Sequence, residues 1–278
     1  MNHIDELNCL NLRKRVFITG YKGGMAHLAS SFSSIEIIYT LYMKGIMKQD
    51  SKRADQQDKD RFVLSKGHAG LALYSVLEMA GYVSKHEMES YLMSDGKIGG
   101  EPNLGDAQGI EASTGSLGHG LPIALGMAMA QKYDGNGLRT FVLIGDGECQ
   151  EGTIWEAAMS AVSFELDNLI VILDCNMIQK TKRVDEMMRF VAWEEKWKAF
   201  GWNTLTADGH NIDSLLKAFM SLPQNGRPTI IIANTIKGRG VSIMENNPKW
   251  HFKLPNKQEL KVFMEELNID ENELDSRG

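Results

Sequence analysis

The segment Thr140-Phe-Val-Leu-Ile-Gly-Asp-Gly-Glu148 joins a short apolar run to a glycine-rich turn. A continuous run of Val, Ile and Leu without polar alternation is typical of a strand buried on both faces of a parallel sheet. The apolar part, Thr140–Ile144, is therefore predicted to be such a strand. Further strands, the last two weaker or shorter, are predicted at Leu169–Asp174, Thr229–Ala233, Asn203–Thr206 and Arg61–Leu64.

Helix-like segments separate these strands. They are predicted at Ser33–Met47, Leu71–Gly81, Ser84–Leu92, Leu121–Lys132, Gly152–Phe164, Trp193–Phe200 and Ile212–Ser221. Ser33 is expected to cap the first of them, and Ser84 with Glu87 forms a predicted capping box. The alternation of strands and helices indicates an α/β fold with a mostly parallel central sheet and helices on both faces. Ligands of such sheets bind at the carboxyl ends of the strands.

The chain is predicted to form one large domain with a short C-terminal extension. A length of 278 residues suits a single sizeable core. Residues 1–255 are assigned to the α/β domain. Residues 256–278 are expected to form a helix, Lys257–Leu267, followed by a frayed polar tail.

Composition excludes several classes of protein. The net charge of −6 implies no broad basic field, so nucleic acid is not expected as a partner. Three scattered cysteines are too few for a disulfide framework, which fits the cytoplasm. The longest apolar stretch, near Leu121–Ala130, is too short to cross a membrane, and the N-terminus lacks the layout of a signal peptide.

Two polar side chains follow neighbouring predicted strands and indicate a metal site. Asp146 comes directly after the strand Thr140–Ile144, and Asn176 follows the next strand along the chain. Because parallel neighbours place their carboxyl ends at the same edge, these side chains are expected to converge. Carboxylate and amide oxygens suit Mg²⁺ or Ca²⁺. With so few protein ligands, the metal is expected to be shared with a diphosphate.

Glycine-rich loops and histidines supply further candidates. Ser65–Gly70 and Gly115–Gly120 each lead into a helix, where backbone N–H groups can approach an anion. Neither loop has the spacing of a Walker A or dinucleotide-binding motif. His27, His68, His119 and His251 lie in loop-like settings and are candidates for a shared site, whereas other histidines are predicted to be solvated at the surface, namely His3, His86 and His210.

Glu151 and Glu156 stand at the start of the helix after the metal loop. Negative charge is favourable at a helix N-terminus, so these residues alone could have a purely structural role. The alternative is a chain of carboxylates that passes protons near a cofactor.

Taken together, the sequence resembles the N-terminal, thiamine diphosphate-binding subunit of a split transketolase from about residue 10 to residue 260. The motifs that carry the resemblance are Asp60-Arg-Phe-Val-Leu-Ser-Lys-Gly-His68, Gly109-Ile-Glu-Ala-Ser-Thr-Gly-Ser-Leu-Gly-His-Gly120, Gly145-Asp-Gly-Glu-Cys-Gln-Glu-Gly152, Trp155-Glu-Ala, Asn176-Met-Ile-Gln179, Thr235-Ile-Lys-Gly-Arg-Gly240 and Met244-Glu-Asn-Asn-Pro-Lys-Trp-His251. The Ser-Lys-Gly-His segment narrows the match from thiamine diphosphate enzymes in general to the transketolase-like branch.

The resemblance implies a role for each matching residue. Asp146, Asn176 and the carbonyl of Ile178 are the implied metal ligands. The implied cofactor-binding residues are His68, Gly115, Ser116, Leu117, Gly145, Asp146, Gly147, Glu148, Asn176 and His251. His27, Glu101 and His251 are implied to face the substrate. His27 and His251 are also candidates for proton handling, and Glu151 with Glu156 matches an acidic relay between paired active sites.

Departures from the family pattern concern the substrate side. Glu101 stands where a histidine ordinarily contacts the donor sugar, and Ala26, Lys180 and Phe252 also differ from the usual residues. The implied activity is transfer of a two-carbon ketol unit from a ketose or ketose phosphate to an aldose, through a carbanion of thiamine diphosphate. The departures favour a specialised sugar substrate.

The resemblance also implies a partner, because in the family a glutamate of a following pyrimidine-binding domain activates the cofactor. A separate C-terminal transketolase subunit is therefore expected, in an α₂β₂ assembly. Two other functions remain open. One is the alpha subunit of a 2-oxo-acid dehydrogenase decarboxylase component, and the other is a non-catalytic cofactor-binding paralogue.

Overall fold

The computed structural model describes residues 2–49, 52, 58–189 and 191–275. Within them, five parallel strands form one sheet in the order β1-β2-β3-β5-β4. The strands are β1 (Arg61–Leu64), β2 (Thr140–Gly145), β3 (Leu169–Cys175), β4 (Asn203–Asp208) and β5 (Thr229–Asn234). All five predicted strands are confirmed, and four of them extend beyond the predicted end by one or two residues.

Helices precede, connect and follow the strands. They are α1 (His3–Lys22), α2 (Leu28–Phe32), α3 (Ile35–Met43), α4 (Gly70–Met79), α5 (Lys85–Glu89), α6 (Gly120–Asp134), α7 (Gly152–Ser163), α8 (Val184–Met187), α9 (Trp193–Ala199), α10 (Ile212–Met220), α11 (Lys257–Glu266) and α12 (Glu271–Asp275). The predicted capping box at Ser84 and Glu87 is present and begins α5. No helix in the described ranges combines the length and apolarity needed to span a bilayer.

Alternation along the buried strands divides the apolar residues between two cores, one on each face of the sheet. Phe141, Leu143 and Ile172 pack in the core that includes residues of α1, α3, α4 and α10. Val142 and Val171 pack in the other, with residues of α6, α7 and α9. Because successive side chains of a strand point to opposite faces, a strand covered on both sides must be apolar throughout. The predicted arrangement of helices on both faces is confirmed.

The sequence analysis did not predict the longest helix. α1 carries charged residues through its middle, and its apolar side chains do not form a clear stripe. The sequence therefore shows no amphipathic periodicity that would indicate a helix. Val16 and Phe17 are nevertheless fully buried. Burial of a large apolar side chain stabilises a fold by about 1.5–3 kcal/mol. Packing against α4, not an amphipathic pattern of its own, therefore accounts for this helix.

Two local expectations were wrong. Ser33 does not cap the N-terminus of a helix: it lies at the C-terminal end of α2, α3 begins later, at Ile35, and the Ser33 hydroxyl donates to the carboxylate of Asp174. The tail expected to fray instead forms α12, where Glu273 lies 2.7 Å from Lys14 Nζ. The last residues, 276–278, lie outside the described part of the chain.

The C-terminal extension packs on the large domain. Phe263 of α11 is fully buried, and its ring stacks on Phe17 of α1 with centroids 4.7 Å apart. It also contacts Trp250, whose ring centroid lies 5.2 Å away. The division of the chain into a domain of residues 1–255 and an extension of residues 256–278 stays a prediction. The apolar contacts of α11 belong to the same core as those of α1.

Candidate active site

A cavity of about 540 Å³ opens at the carboxyl ends of the strands. Its walls come from the loops that follow β1, β2, β3 and β5, as expected for a parallel sheet. Most of the candidate residues from the sequence line it: His27, His68, Glu101, Gly115, Leu117, Gly145, Asp146, Gly147, Glu148, Glu151, Asn176, Ile178 and His251. Lys180, one of the departures from the family pattern, lines it as well.

Three candidates do not reach the cavity lining. The side chains of Ser116, His119 and Glu156 are exposed. His119 contacts the carbonyl of Leu117 through its Nδ1, 3.2 Å away. Glu156 lies on α7, one turn beyond Glu151, and only Glu151 borders the cavity. Of the two members of the predicted acidic relay, therefore, only Glu151 lines the cavity, and the relay stays a prediction.

The predicted metal ligands meet at one end of this cavity. Gly145 pairs with Asp174 in the sheet, so Asp146 and Asn176 leave neighbouring strands at the same level. The Asp146 carboxylate accepts the N–H groups of Gly147, at 2.7 Å, and of Met177. Asn176 Oδ1 accepts the N–H of Ile178 at 3.0 Å. These bonds orient both side chains and leave each oxygen a second lone pair.

The donor set fits a divalent cation with a diphosphate. Burial, followed by the nearby charge of Asp174, raises the pKa of Asp146 to about 6, which a bound cation would reverse. Ser30 also lines the cavity, and its buried hydroxyl has no hydrogen-bond partner among the residues described. A buried hydroxyl without a partner is costly, and a ligand oxygen in the cavity would satisfy it.

Three histidines converge across the cavity from distant parts of the chain. The ring centroid of His27 lies 5.3 Å from that of His68 and 5.4 Å from that of His251. Burial, together with nearby lysines, lowers the pKa of His27 to about 4 and that of His251 to about 3. Burial also holds the pKa of His68 well below its usual value, so all three rings are neutral near pH 7. Phe252, a departure from the family pattern, packs against His27 with ring centroids 4.7 Å apart.

A buried ion pair that the sequence analysis did not single out lies beneath these groups. The Lys66 ammonium donates to Asp174, and the two side chains are 2% and 0% exposed. Asp174 also accepts from Ser33 at 2.7 Å and from Asn176 at 3.2 Å. Burial opposes its ionisation, but Lys66 and the hydroxyl donors hold the pKa of Asp174 below its usual value. Through the hydrogen bond between Asn176 and Asp174, this ion pair helps to orient a predicted metal ligand.

A second lysine, also without a role in the sequence analysis, joins two candidate residues. Lys237 Nζ donates to the carbonyl of Ile178 at 2.9 Å and lies 3.2 Å from His251 Nδ1. Burial lowers the pKa of Lys237 to about 8, which leaves the ammonium as the main form at neutral pH. Membership of Lys66 and Lys237 in the quoted motifs was the only sequence signal for them.

Glu148 connects the two glycine-rich loops. Its buried carboxylate accepts from the Ser65 hydroxyl, from the N–H of Gly118 at 2.9 Å and from the N–H of Gly145 at 3.0 Å. The loops also meet backbone to backbone, since a Cβ on Gly67 would lie 2.8 Å from the backbone nitrogen of Gly115. Glycine is required there because no side chain fits.

Glu101 reaches the same cavity from a separate loop. Its carboxylate occupies the space that a Cβ on Gly115 would need, and Gly115 itself has a φ of +147°. The side chain is exposed and lines the cavity. The acidic residue that departs from the family pattern therefore lies beside a candidate cofactor-binding glycine.

His210 was predicted to be solvated, and that prediction was wrong. Its side chain is only 10% exposed and its Nδ1 lies 3.0 Å from the buried carboxylate of Glu36. Its polar sequence neighbours concealed this burial, because the partner, Glu36, comes from a distant helix. His3 and His86 are exposed, as expected.

Comparison with known protein families agrees with this geometry. A family model described as "Transketolase, thiamine diphosphate binding domain" matches residues 16–274. The chain is 37% identical over 255 residues to an apulose-4-phosphate transketolase subunit of Actinobacillus succinogenes, covering 92% of each sequence. It is 38% identical over 231 residues to the 6-deoxy-6-sulfo-D-fructose transketolase subunit SqwG of a Clostridium species, covering 83% of this chain and 84% of that one.

Solved structures and full-length relatives give the same result. The transketolase of Campylobacter jejuni superposes with a TM-score of 0.88 at 29% identity, over 97% of this chain and 44% of that chain. Human transketolase is 37% identical over 244 residues, which are 87% of this chain and 38% of that enzyme. The chain therefore spans less than half the length of these single-chain enzymes, but most of the length of the two relatives that are transketolase subunits.

Proposed function

Because the chain belongs to the transketolase family and carries its thiamine diphosphate binding domain, we propose that it works with a partner subunit to transfer a two-carbon ketol unit. The donor is a ketose or ketose phosphate, and the acceptor is an aldose. One observation carries the proposal: a single cavity holds the Asp146 and Asn176 oxygens at one end and the three neutral histidines across it.

The metal is Mg²⁺ or Ca²⁺, held by Asp146, Asn176 and the carbonyl of Ile178. Hard oxygen donors of this kind, with open positions for phosphate oxygens, suit both ions. His68 and the backbone of Gly147 face the diphosphate. When bound, thiamine diphosphate supplies the electron sink for cleaving the carbon–carbon bond beside the ketose carbonyl.

The chain's own contribution is to bind, orient and move protons. His27 and His251 are neutral near pH 7, so each can donate one N–H and accept at the other ring nitrogen. That capacity suits hydroxyl contact and proton exchange at the sugar carbons. Glu148 contributes by positioning the site, since its carboxylate oxygens hold the surrounding loops together.

The substrate is proposed to be a specialised sugar. The two related transketolase subunits are named for apulose-4-phosphate and for 6-deoxy-6-sulfo-D-fructose. Glu101 supports this view for the present chain, because its carboxylate borders the cavity where the family pattern has a histidine. The altered residues Lys180 and Phe252 lie at or next to the same cavity.

The partner is proposed to carry the pyrimidine-binding domain and to complete the site in an α₂β₂ assembly. Glu151 and Glu156 are exposed at the start of α7, where a second copy could bring another pair close. We place the assembly in the cytoplasm, a compartment that fits the three free cysteines.

The proposal is tested by purifying the chain alone and together with a co-expressed transketolase C-terminal subunit. Ketol transfer from a panel of ketoses and ketose phosphates is expected only with both subunits, thiamine diphosphate and Mg²⁺. Asp146→Ala should abolish it, whereas Glu89→Ala, on the exposed surface of α5, is the matched control. Decarboxylation of a 2-oxo acid would favour the dehydrogenase alternative. Calorimetry without any binding of thiamine diphosphate would favour a non-catalytic paralogue.

A further inference from the structure

A buried polar cluster lies outside the residues that line the cavity. It consists of Arg13, Glu36 and His210, whose side chains are 7%, 4% and 10% exposed. Arg13 Nη2 contacts both carboxylate oxygens of Glu36, at 2.6 and 2.9 Å. Burial opposes ionisation of Glu36, but Arg13 and the hydrogen-bonded His210 hold its pKa below the usual value. Glu36 is therefore a carboxylate that accepts from both neighbours.

The hydrogen bonds assign the His210 tautomer. Because ionised Glu36 has no proton to donate, Nδ1 of His210 carries the hydrogen of that 3.0 Å contact. Its Nε2 then accepts the backbone N–H of Ile236 at 2.8 Å. The cluster therefore ends in a hydrogen bond to the backbone of the residue immediately before Lys237.

The same cluster holds the other end of this loop. Arg13 Nε donates to the carbonyl of Arg239 at 2.7 Å. Its aliphatic stem packs on Gly240, where a Cβ would lie 2.8 Å from Arg13 Cδ and where φ is +96°. Residues 236–240 are thus fixed on both sides of Lys237 by one buried cluster. A hydrogen bond from Gly238 N to the carbonyl of Ala29, at 3.0 Å, adds a contact to α2.

Lys237 connects this fixed loop to His251 in the cavity. An ammonium group has three N–H donors and no lone pair, so His251 Nδ1 can only accept in its 3.2 Å contact with Lys237. The neutral His251 ring must then carry its proton on Nε2. The position of Lys237 therefore decides which nitrogen of His251 is the hydrogen-bond donor.

We propose that Arg13, Glu36 and His210 form a positioning network that holds Lys237 against His251 and so fixes His251 as an Nε2–H donor in the active-site cavity. These are positioning residues, since they act through Lys237. Any role of the His251 Nε2–H group in ketol transfer rests on the function proposed above. The assignment of the His251 tautomer does not depend on that function. Supporting groups of this kind commonly change activity by about 10- to 100-fold.

The test reads the His251 tautomer by ¹⁵N NMR of the purified full chain, labelled on histidine, near neutral pH. The ring nitrogen without hydrogen is distinguished from the N–H nitrogen by its shift, and His251→Gln assigns the signal. The unaltered chain should show His251 with hydrogen on Nε2 only. Lys237→Met, which removes the donor, should give a mixture of tautomers, as should His210→Ala. His86→Ala, at an exposed histidine, is the control and should leave the signal unchanged.

His210→Gln provides a second variant in case the alanine variant unfolds. Its amide oxygen can still accept from the N–H of Ile236, so the Nε2–H form should be largely restored. In the assembled enzyme, His210→Ala should lower kcat about 10-fold with a smaller change in KM, and His210→Gln should recover most of it. An unaltered His251 signal in either Lys237→Met or His210→Ala would overturn the proposal. Absence of ketol transfer from the unaltered enzyme would instead overturn the proposed function and leave the NMR result standing.

Discussion

Lys66 and Asp174 form an ion pair that is almost completely buried, directly below the loop that holds Asn176. Each partner compensates the charge of the other in a place that water does not reach. Asn176 Nδ2 donates to the same Asp174 oxygen, at 3.2 Å. Folding stability and the orientation of Asn176, a proposed metal ligand, therefore depend on one carboxylate.

Asp174→Asn should destabilise the chain by about 3–5 kcal/mol, because it leaves the Lys66 ammonium buried without a counter-charge. The measurement is the free energy of unfolding in urea. Asp185→Asn is the matched control, since Asp185 pairs with Arg183 while both side chains remain at least one-third exposed. The control should leave the free energy of unfolding almost unchanged, because an exposed ion pair is screened by solvent. Equal effects of the two substitutions would contradict the importance assigned to the buried pair.

Glu148→Gln should destabilise by about 1–3 kcal/mol and weaken thiamine diphosphate binding. Three donors point at the Glu148 carboxylate, and the amide nitrogen of glutamine would face at least one of them. Unfolding in urea and calorimetric titration with thiamine diphosphate and Mg²⁺ are the measurements. Glu89→Gln on the exposed surface of α5 should stay within about 0.5 kcal/mol of the unaltered chain. Unchanged stability and unchanged binding in Glu148→Gln would refute its loop-connecting role.

The His27 ring should make the fold sensitive to acid. Its pKa is about 4 in the folded chain because of burial and the charge of Lys237, against about 6.5 when unfolded. As the pH falls from about 6.5 towards 4, the unfolded chain takes up a proton that the folded ring does not. This contribution to stability is complete above the unfolded pKa and declines through that window.

The comparison that checks it is the urea unfolding of His27→Gln and of the unaltered chain at about pH 7 and about pH 5. The decrease in the free energy of unfolding between the higher and the lower pH should be smaller in His27→Gln than in the unaltered chain. His86→Gln, at an exposed histidine, should lose as much stability as the unaltered chain. An equally steep loss in His27→Gln would mean that His27 titrates normally in the fold.

Glu101→His should shift substrate preference towards common ketose phosphates such as xylulose 5-phosphate. The substitution restores the residue type of the family pattern beside Gly115 and removes a negative charge from the cavity wall. Relative to the enzyme's preferred donor, kcat/KM for xylulose 5-phosphate should rise about 10-fold, equivalent to about 1.4 kcal/mol of transition-state binding. Glu101→Gln separates loss of charge from gain of the imidazole. A constant ratio of kcat/KM values in both variants would show that Glu101 does not set specificity.

The convergence of Asp146 and Asn176, the proposed metal ligands, could be predicted from sequence because both residues follow strands. Asp146 and Asn176 each come directly after a buried apolar run, and parallel neighbours end at one edge. His210 and Glu36 could not be paired in this way, since 174 positions separate them and Glu36 lies within a helix and does not follow a strand. Ser33 was misassigned for a related reason: a serine before an apolar run indicates a cap locally, but a buried carboxylate from β3 competes for its hydroxyl.

The parallel sheet, the family and the candidate residues at the ends of β2 and β3 follow from the sequence alone, because apolar runs and local motifs record short-range constraints. Which of the motif residues share the cavity depends on the tertiary fold. It brought His27, His68 and His251 together, left His119 at the surface, and connected Lys237 to a buried cluster that contains a histidine expected in solvent. The physical reason is that burial and hydrogen-bond partnership depend on contacts between distant segments, which no local pattern encodes.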